Sequence, residues 1–350
     1  MNLLTLAYYN GIPFDKPVVR FYALFILVGA LLALFLSNYR AHKDGYDWHF
    51  FDTIFLVAFP AGIIGSRIWY VLASLNEFAN QPWYSVFEIW NGGLAIQGGA
   101  IGGILAGVLY ARFRRKGTHI LRCMDFAVPT ILVAQAIGRW GNFFNQEVFG
   151  HAVSASAWDF LPTFITSNLQ NGTDAMIGAG SYVVPAGGVV APLFLIEGVI
   201  NLFFYFLIGY GVPALEGKNY KEGDSSFSYF IAYGLVRLIL EPLRNYRFIM
   251  GVSTATDLSR SHYNSLIMAI AFIVFGVIMI ALNHIIRYLS SKGKLDNVPI
   301  VNRFLEKNNN PVELNYAKVA KEDELAREPK PLDMNKLKAK EHEHDQEKKE

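Results

Sequence analysis

The sequence contains a single cysteine, Cys123, and this scarcity excludes two kinds of site. One thiol cannot form an intramolecular disulfide, and it cannot build a metal site from a cluster of cysteines. Cys123 follows Arg122 at the edge of a basic loop, and no His or Asp stands in a recognisable relation to it. We therefore interpret Cys123 as a small apolar residue near a helix start, with a nucleophilic thiol as the alternative.

Charge is also scarce, and the charges that exist almost cancel. The formal net charge is +2, so nothing indicates the broad basic surface that nucleic-acid binding requires. No basic segment precedes the first apolar run, so we expect no cleaved signal peptide and a membrane helix from Val18. Hydrophobic residues make up 53% of the chain, in runs that approach the roughly 20 residues of a membrane helix. The sequence predicts an all-α polytopic membrane protein.

The apolar runs predict seven membrane spans. The fourth and sixth are short, and each ends in a charged motif, which indicates that these helices continue into a protein-lined cavity. Glycine is concentrated in the third span at small-xxx-small spacing, which lets another helix, or a lipid headgroup, approach the backbone closely. The spans are predicted at Val18 to Leu36, Phe50 to Ala73, Gly92 to Tyr110, Phe126 to Ile137, Pro192 to Val212, Phe227 to Leu240 and Leu266 to Ile286.

The distribution of Lys and Arg predicts the orientation of the chain. The loops after spans one, three and seven are basic, which places them and the C-terminus in the cytoplasm. Residues 76–91 and 151–190 contain no Lys or Arg, so both segments, and the N-terminus, are predicted to lie outside. The loop with Arg244, Arg247 and Arg260 is the exception, because it is basic on the side assigned to the outside.

The end of the chain differs in composition from the rest. Residues 291–350 contain 13 Lys or Arg and 13 Asp or Glu with few aromatics, which is typical of a solvated segment. We predict a transmembrane catalytic domain at residues 1–290, with an extracytoplasmic insertion at 151–190. A disordered, charged cytoplasmic tail is predicted at 291–350.

The stretch from Gly138 to Gly150, G-R-W-G-N-F-F-N-Q-E-V-F-G, is the most informative part of the sequence. It places polar residues at the end of a hydrophobic segment, where placing a charge costs at least ~2.5 kcal/mol and usually serves function. A guanidinium can hold two phosphate oxygens at once, and an Asn amide both donates and accepts hydrogen bonds. We predict that Arg139 binds an anion and that Asn142 and Asn145 bind ester or glycerol oxygens. The alternative for the two asparagines is hydrogen bonding between helices.

A second polar stripe lies on the sixth span. Tyr233, Arg237 and Glu241 are spaced by four residues, and Arg244 follows three residues later, so these side chains make one polar stripe. Two Arg at comparable depth favour a shared anion site. The alternative is structural, with buried ion pairs of Arg139 with Glu147, or of Arg237 with Glu241, that fix helix packing.

Arg67, within G-S-R-I-W-Y of the second span, is a third candidate for binding the same anion. An Arg at this position can instead pair within the helix bundle or extend its charged end to the membrane surface. The sequence leaves both readings of Arg67 open.

The Gly138–Gly150 motif resembles the signature of the prolipoprotein diacylglyceryl transferases. That family moves a diacylglyceryl group from phosphatidylglycerol to the lipobox cysteine thiol of a lipoprotein precursor. Further similarities are R-F-Y-A at Arg20–Ala23, W-N-G-G-L-A-I-Q-G-G at Trp90–Gly99 and Y-G-L-V-R-L-I-L-E at Tyr233–Glu241. The resemblance extends over most of Val18 to Ile286.

This resemblance implies a fold, partners and site residues. The fold is about seven transmembrane helices with extracytoplasmic arm and head segments, in the plasma membrane of a bacterium. The partners are phosphatidylglycerol, prolipoprotein lipobox peptides and the lipid bilayer, and no cofactor or metal is required. Carried over position by position, the family's functional residues are Tyr22, Arg139, Asn142, Glu147, Gly150, Tyr233, Arg237 and Glu241.

Two departures from the family pattern concern the general base. Many relatives carry His where this chain has Gln97, and Gln cannot take a proton near neutral pH. A family segment that commonly reads H-P-x-x-L-Y-E is here Ala191–Glu197, without its His and Tyr. We favour activation of the substrate thiol by the field of the arginines. The remaining candidates for a base are Glu147, Glu241, Tyr22, Tyr233 and His151.

Two other functions remain open from the sequence. A lipid transporter also uses buried Arg, but these charges gather toward one side and no internal repeat is evident. A catalytically impaired phospholipid-binding scaffold is consistent with Gln97.

Overall fold

The structure is a computed structural model, and it describes most of the chain up to residue 298. The described residues are 11–12, 19–78, 81–89, 93, 96–114, 120–145, 149–171, 188–245, 255–295 and 298. Most of the predicted tail therefore lies outside the described residues.

Helices form nearly all of the described structure. Two short antiparallel pairs of strands accompany them, β1 (Gly11–Ile12) with β2 (Val19–Arg20) and β3 (Ala152–Ser154) with β4 (Gly188–Val190). The α-helices are α1 (Phe21–Lys43), α2 (Asp52–Ala73), α3 (Leu75–Phe78), α4 (Ile96–Arg114), α5 (Ile120–Ala127), α6 (Ile131–Phe144), α7 (Thr163–Asn171), α8 (Leu193–Phe206), α9 (Val212–Glu216), α10 (Asp224–Leu240) and α11 (Ala255–Ser291).

Six helical segments of the described chain are long and apolar enough to cross a membrane, so the chain is an all-α multi-pass membrane protein. They correspond to six of the seven predicted spans. The predicted third span falls on α4, whose apolar part, Ile101–Ala111, is shorter than a full crossing. The six segments are Phe21–Lys43, Asp52–Leu72, Ile120–Phe144, Leu193–Asn219, Asp224–Leu243 and Ser265–Ser291.

The two spans predicted to be short are longer in the structure. The fourth is built from α5, a 3-10 turn at Val128–Thr130 and α6, which continues through the charged motif to Phe144. The sixth continues from α10 into a 3-10 turn at Glu241–Leu243. The expectation that both charged motifs prolong their helices is confirmed.

Glycines allow α2 and α4 to pack with their backbones in contact. A Cβ on Gly102 of α4 would lie 2.6 Å from the carbonyl oxygen of Ala61, and a Cβ on Gly98 would overlap the backbone of Gly65 in α2. The glycine-rich face of the third predicted span is therefore occupied by a neighbouring helix, which is the packing alternative.

A small head covers one end of the bundle, between α6 and α8. The β3–β4 pair and α7 place Ile165, Leu169, Val189 and Val190 on an apolar cluster that also includes Phe143, Phe149 and Phe194. Phe143 is near the end of α6 and Phe194 is near the start of α8. The head is thus packed directly onto the helix ends that carry the charged motif.

The opposite end of the bundle is held by Asp125 of α5. Its carboxylate accepts hydrogen bonds from the backbone N–H of Gly223 at 2.6 Å, from the N–H and hydroxyl of Ser226 at 2.8 and 2.7 Å, and from the Tyr220 hydroxyl at 2.7 Å. These bonds attach the start of α10 to α5. Cys123, on the same helix, is buried among Ala41, Phe50 and Phe51, which agrees with a structural role.

Candidate anion site

The charged motif lies on the last turns of α6. Asn142 of the motif is buried, as are Leu132, Val133 and Ala136 earlier in the same helix. The Arg139 guanidinium donates from Nη1 to the Asn142 side-chain oxygen at 3.3 Å. Two members of the predicted site are therefore in contact.

Arg139 pairs with Glu197, on the first turns of α8. Its Nη2 donates to Glu197 Oε1, and the Glu197 side chain is only 3% exposed. The sequence suggested Glu147 as the structural partner of Arg139, but Glu147 lies outside the described residues. Glu197 supplies the buried counter-charge in the described structure.

Arg237, Glu241 and Arg244 form the second half of the cluster. Arg237 Nη1 lies 3.2 Å from Glu241 Oε2, which is the ion pair that the spacing on α10 predicted. Arg244 Nη1 lies 3.6 Å from the same oxygen, and Arg244 Nη2 lies 3.7 Å from Glu197 Oε2. Arg244 therefore joins the two halves into one chain of alternating charges.

Gly150 holds Arg244 in this position through the backbone. Gly150 forms an isolated antiparallel bridge with Arg244, and its N–H donates to the carbonyl of Ala191 at 2.9 Å. A Cβ on Gly150 would lie 2.8 Å from the Cβ of Ala191 and 3.2 Å from the carbonyl oxygen of Leu243. Only glycine fits between these segments, so the last residue of the motif fixes the approach of α8 and α10.

Among the described residues, the cluster carries one net positive charge, since three guanidinium groups face two carboxylates. Its arginine side chains are 11 to 24% exposed, so water screens them weakly. Burial lowers the pKa of Arg244 to about 10, and the nearby charge of Arg237 contributes to the decrease. Arg244 is still protonated at neutral pH, and a bound anion would stabilise its charge.

Arg139 has donor capacity that its protein contacts do not use. Its Nε is buried and has no hydrogen-bond partner among the described residues. A guanidinium with two N–H groups engaged, as in Arg139, and another unused is suited to an additional oxygen ligand. The arrangement as a whole can hold a phosphate or another compact anion.

Tyrosine and asparagine side chains surround the cluster. Tyr22, at the start of α1, lies against Gly141, where a Cβ would come within 2.7 Å of its ring. Tyr233 lies one turn before Arg237 and stacks on Tyr229 with centroids 6.1 Å apart. Asn145 ends α6, with its N–H bonded to the carbonyl of Gly141 at 3.0 Å. The structure therefore places Tyr22 beside the motif, Asn145 at the end of the helical part of the motif, and Tyr233 one turn before Arg237.

Arg67 is held by backbone carbonyls. Its guanidinium donates to Val86 at 2.8 Å, to Ser85 at 2.7 Å and to Gly93 at 3.1 Å. These bonds tie α2 to the segment that leads into α4. The predicted role of Arg67 in substrate binding remains a prediction, beside this structural one.

Gln97 lies on the first turn of α4, but its side chain is not among those described. His151 directly follows Gly150 and is exposed, with its carbonyl accepting the N–H of Ala191 at 3.0 Å.

Sequence reasoning did not assign Glu197 and Arg244 to the site. Glu197 is the last residue of Ala191–Glu197, the segment that departs from the family pattern. A lone carboxylate in an apolar run is a signal of function that could have identified it. Arg244 belonged to the loop whose charge contradicted the predicted orientation. Its two ion pairs account for a basic residue at this end of the bundle.

Fold and site together define a multi-pass membrane protein with a buried, arginine-rich site at one end of its helices. A family model described as prolipoprotein diacylglyceryl transferase matches residues 12–280. The chain belongs to this family, and it is a transferase.

Similar proteins carry the name phosphatidylglycerol–prolipoprotein diacylglyceryl transferase. One from Streptococcus equi subsp. equi is 36% identical over 73% of this chain and 89% of its own length. One from Streptococcus suis is 34% identical over 75% of this chain and 88% of its own length. One from Oceanobacillus iheyensis is 31% identical over 67% of this chain and 79% of its own length.

The pairing of Arg139 with Glu197 gives a prediction about stability. Glu197→Leu leaves buried guanidinium groups without a counter-charge and should reduce the free energy of unfolding by about 3–5 kcal/mol. The double variant Glu197→Leu with Arg139→Met should recover most of this loss, because both charges are removed together. Denaturation in detergent micelles measures the three values.

Val199→Ala is the control for this experiment. Val199 is 60% exposed on the same helix, so its change should stay near ±0.5 kcal/mol. Equal stability of Glu197→Leu and the wild type would contradict the proposed importance of the pair.

Proposed function

We propose that this protein transfers the diacylglyceryl group of phosphatidylglycerol to the lipobox cysteine thiol of prolipoproteins. Membership of the family and the names of its relatives support the reaction. The observation that carries the proposal is the buried cluster in which Arg139, Arg237 and Arg244 surround two carboxylates. Its net positive charge suits a lipid phosphate at the end of the membrane helices.

Arg139 and Arg237 bind the phosphate in this proposal. They are on different helices, and Glu197 and Glu241 hold their guanidinium groups in fixed positions. Fixed donors stabilise the charge that develops on a leaving group without rearrangement during the reaction. Asn142, which already contacts Arg139, binds a glycerol or ester oxygen.

The transfer is a single displacement. The thiolate sulfur attacks the glycerol carbon that bears the phosphate, a carbon–sulfur bond forms, and the carbon–oxygen bond to the phosphate breaks. The bonding electrons leave with glycerol 1-phosphate, and the thiol proton is released. No covalent intermediate with the protein is needed.

The arginines also favour the thiolate form of the substrate. A free thiol has a pKa near ~8.5, and neighbouring positive charge lowers the pKa of a cysteine. Glu197 and Glu241 each contact two arginines, so both are engaged in holding the site. We therefore assign activation of the thiol to the electrostatic field.

The cluster and the head face the outside of the bacterial plasma membrane in this proposal, with the N-terminus outside and the C-terminus in the cytoplasm. Absence of Lys and Arg from residues 151–190 supports it. A tag within residues 155–180 should be accessible to a membrane-impermeant reagent in intact cells, whereas a tag after Ser291 should require permeabilisation. Equal accessibility of both tags would contradict the orientation.

Arg139→Lys and Arg237→Lys should each abolish or severely reduce transfer. Lysine keeps the charge, but a point ammonium cannot reproduce the two-pronged contact of a guanidinium with phosphate. The assay incubates purified protein with phosphatidylglycerol and a lipobox peptide, and mass spectrometry detects the diacylglyceryl adduct.

Arg287→Lys is a matched control, because Arg287 lies near the end of α11 and donates to Asn283 at 3.2 Å. It should retain activity. Normal transfer by both site variants at unchanged protein levels would disprove the phosphate contacts. If the wild type formed no adduct, the alternative function, a phospholipid-binding scaffold without catalytic activity, would be favoured.

Gln97→His tests whether a base at this position matters. If the arginine field activates the thiol, this variant should be tolerated, and Gln97→Ala should lose only about one hydrogen bond, ~1 kcal/mol. Rates are measured against pH with the same peptide, and a serine in place of its cysteine should eliminate transfer. A gain of orders of magnitude in Gln97→His, with a new inflection near the imidazole pKa of ~6.5, would show that a base is required.

A further inference from the structure

Asn201 is a buried polar residue that the proposed reaction does not yet use. It lies on α8, only 2% of its surface is exposed, and its Nδ2 has no hydrogen-bond partner among the described residues. Burying an amide donor without a partner costs roughly 1–3 kcal/mol. A residue retained at that cost in an apolar helix is a candidate for contact with a ligand.

Asn201 lies one helical turn from the anion site, toward the middle of the membrane. It follows Glu197 by four residues, so both side chains are on the same face of α8, about 6 Å apart along the axis. On α6, Gln135 precedes Arg139 by four residues in the same way. Because Arg139 and Glu197 are in contact, Gln135 and Asn201 belong to the next layer of the same interface.

Packing around this layer confirms the register of the two helices. Trp140 and Phe194 pack on the outer side with ring centroids 5.4 Å apart. Between the layers, Gly198 faces Ala136. A Cβ on Gly198 would lie 3.6 Å from the carbonyl oxygen of Ala136. The order of these contacts along the two helices places Asn201 in the layer next to the charged cluster, on the side away from the head.

Asn201 is the group in this layer that can bind an ester. Gln135 donates one of the two N–H groups of its Nε2 to the Tyr229 hydroxyl at 3.0 Å, and its Oε1 has no hydrogen-bond partner among the described residues. An ester has no donor, so it cannot bind that oxygen, but its carbonyl accepts from an amide N–H. In a glycerophospholipid the acyl-ester carbonyls lie a few covalent bonds from the phosphate, on the side of the chains.

We propose that Asn201 Nδ2 donates a hydrogen bond to an acyl-ester carbonyl oxygen of the bound lipid, and so makes the enzyme prefer ester-linked over ether-linked lipid. This inference rests on the proposed function, because the phosphate in the arginine site sets the depth of the glycerol. Asn201 is a specificity residue that is remote from the reacting carbon.

The test compares two lipids that react at the same carbon, a diacyl phosphatidylglycerol and its dialkyl ether analogue, with one lipobox peptide. The wild type should show kcat/KM roughly two- to tenfold higher for the ester, the worth of one neutral hydrogen bond. Asn201→Leu should bring the ratio close to one by losing activity on the ester alone. An ester preference that persists in Asn201→Leu would overturn the inference.

Thermal stability separates this role from a structural one. Leucine is close to asparagine in size and removes the unpaired amide, so Asn201→Leu should have a Tm equal to or higher than the wild type. A clear decrease in Tm, together with equal losses on both lipids, would show that Asn201 only supports packing. Asn201→Ala provides the same ratio if the leucine variant inserts poorly.

Tyr229→Phe is the matched control. It removes the hydroxyl that holds Gln135 in the same layer and leaves the Asn201 amide intact. Its ester-to-ether ratio should equal that of the wild type, and a ratio close to one would show that any disturbance of the layer has the same effect. Transfer of neither lipid by the wild type would instead refute the proposed function.

Discussion

The need to neutralise buried charge at the end of a membrane bundle governs this structure. Arg139 and Arg237 lie on apolar helices, where an isolated charge is costly. Glu197 and Glu241 provide counter-charges, and Arg244 connects them. The helices α6, α8 and α10 therefore have to meet at this level. The same pairs that allow the arginines to be buried leave one positive charge in excess, so a single arrangement satisfies the bundle and prepares it for an anion.

The two ends of the bundle use different chemistry to solve related problems. At one end, Asp125 is surrounded by neutral donors from Gly223, Ser226 and Tyr220, which consume its hydrogen-bonding capacity. At the other end, Arg139 Nε has no hydrogen-bond partner among the described residues. A fully satisfied polar network rigidifies a fold. In the proposed function, the unused N–H of Arg139 is taken by the lipid phosphate.

Sequence reasoning was most successful where local pattern determines structure. Hydrophobic runs located six membrane helices, and the spacing of Arg237 and Glu241 on one helix face predicted their ion pair, because i,i+4 neighbours are set by helix geometry. The partner of Arg139 was not accessible in this way. Glu197 is on another helix, and the choice between it and Glu147 depends on how α6 and α8 pack. The sequence placed Arg244 on the polar stripe of the sixth span, but its second partner, Glu197, also depends on how the helices pack.

The backbone bonds between Gly150, His151 and Ala191 have a consequence for how the head can change during evolution. They join the two ends of the chain segment that forms the head, next to the helices. The first and last residues of this segment are therefore already paired. Lengthening a loop whose ends are fixed adds little entropic cost, ~0.6 kcal/mol for each doubling. Loop positions between β3 and β4 can thus be extended while the arginines keep their geometry. Ile165 and Leu169 of α7 must stay apolar, because they belong to the cluster that contains Phe143 and Phe194 of the membrane helices.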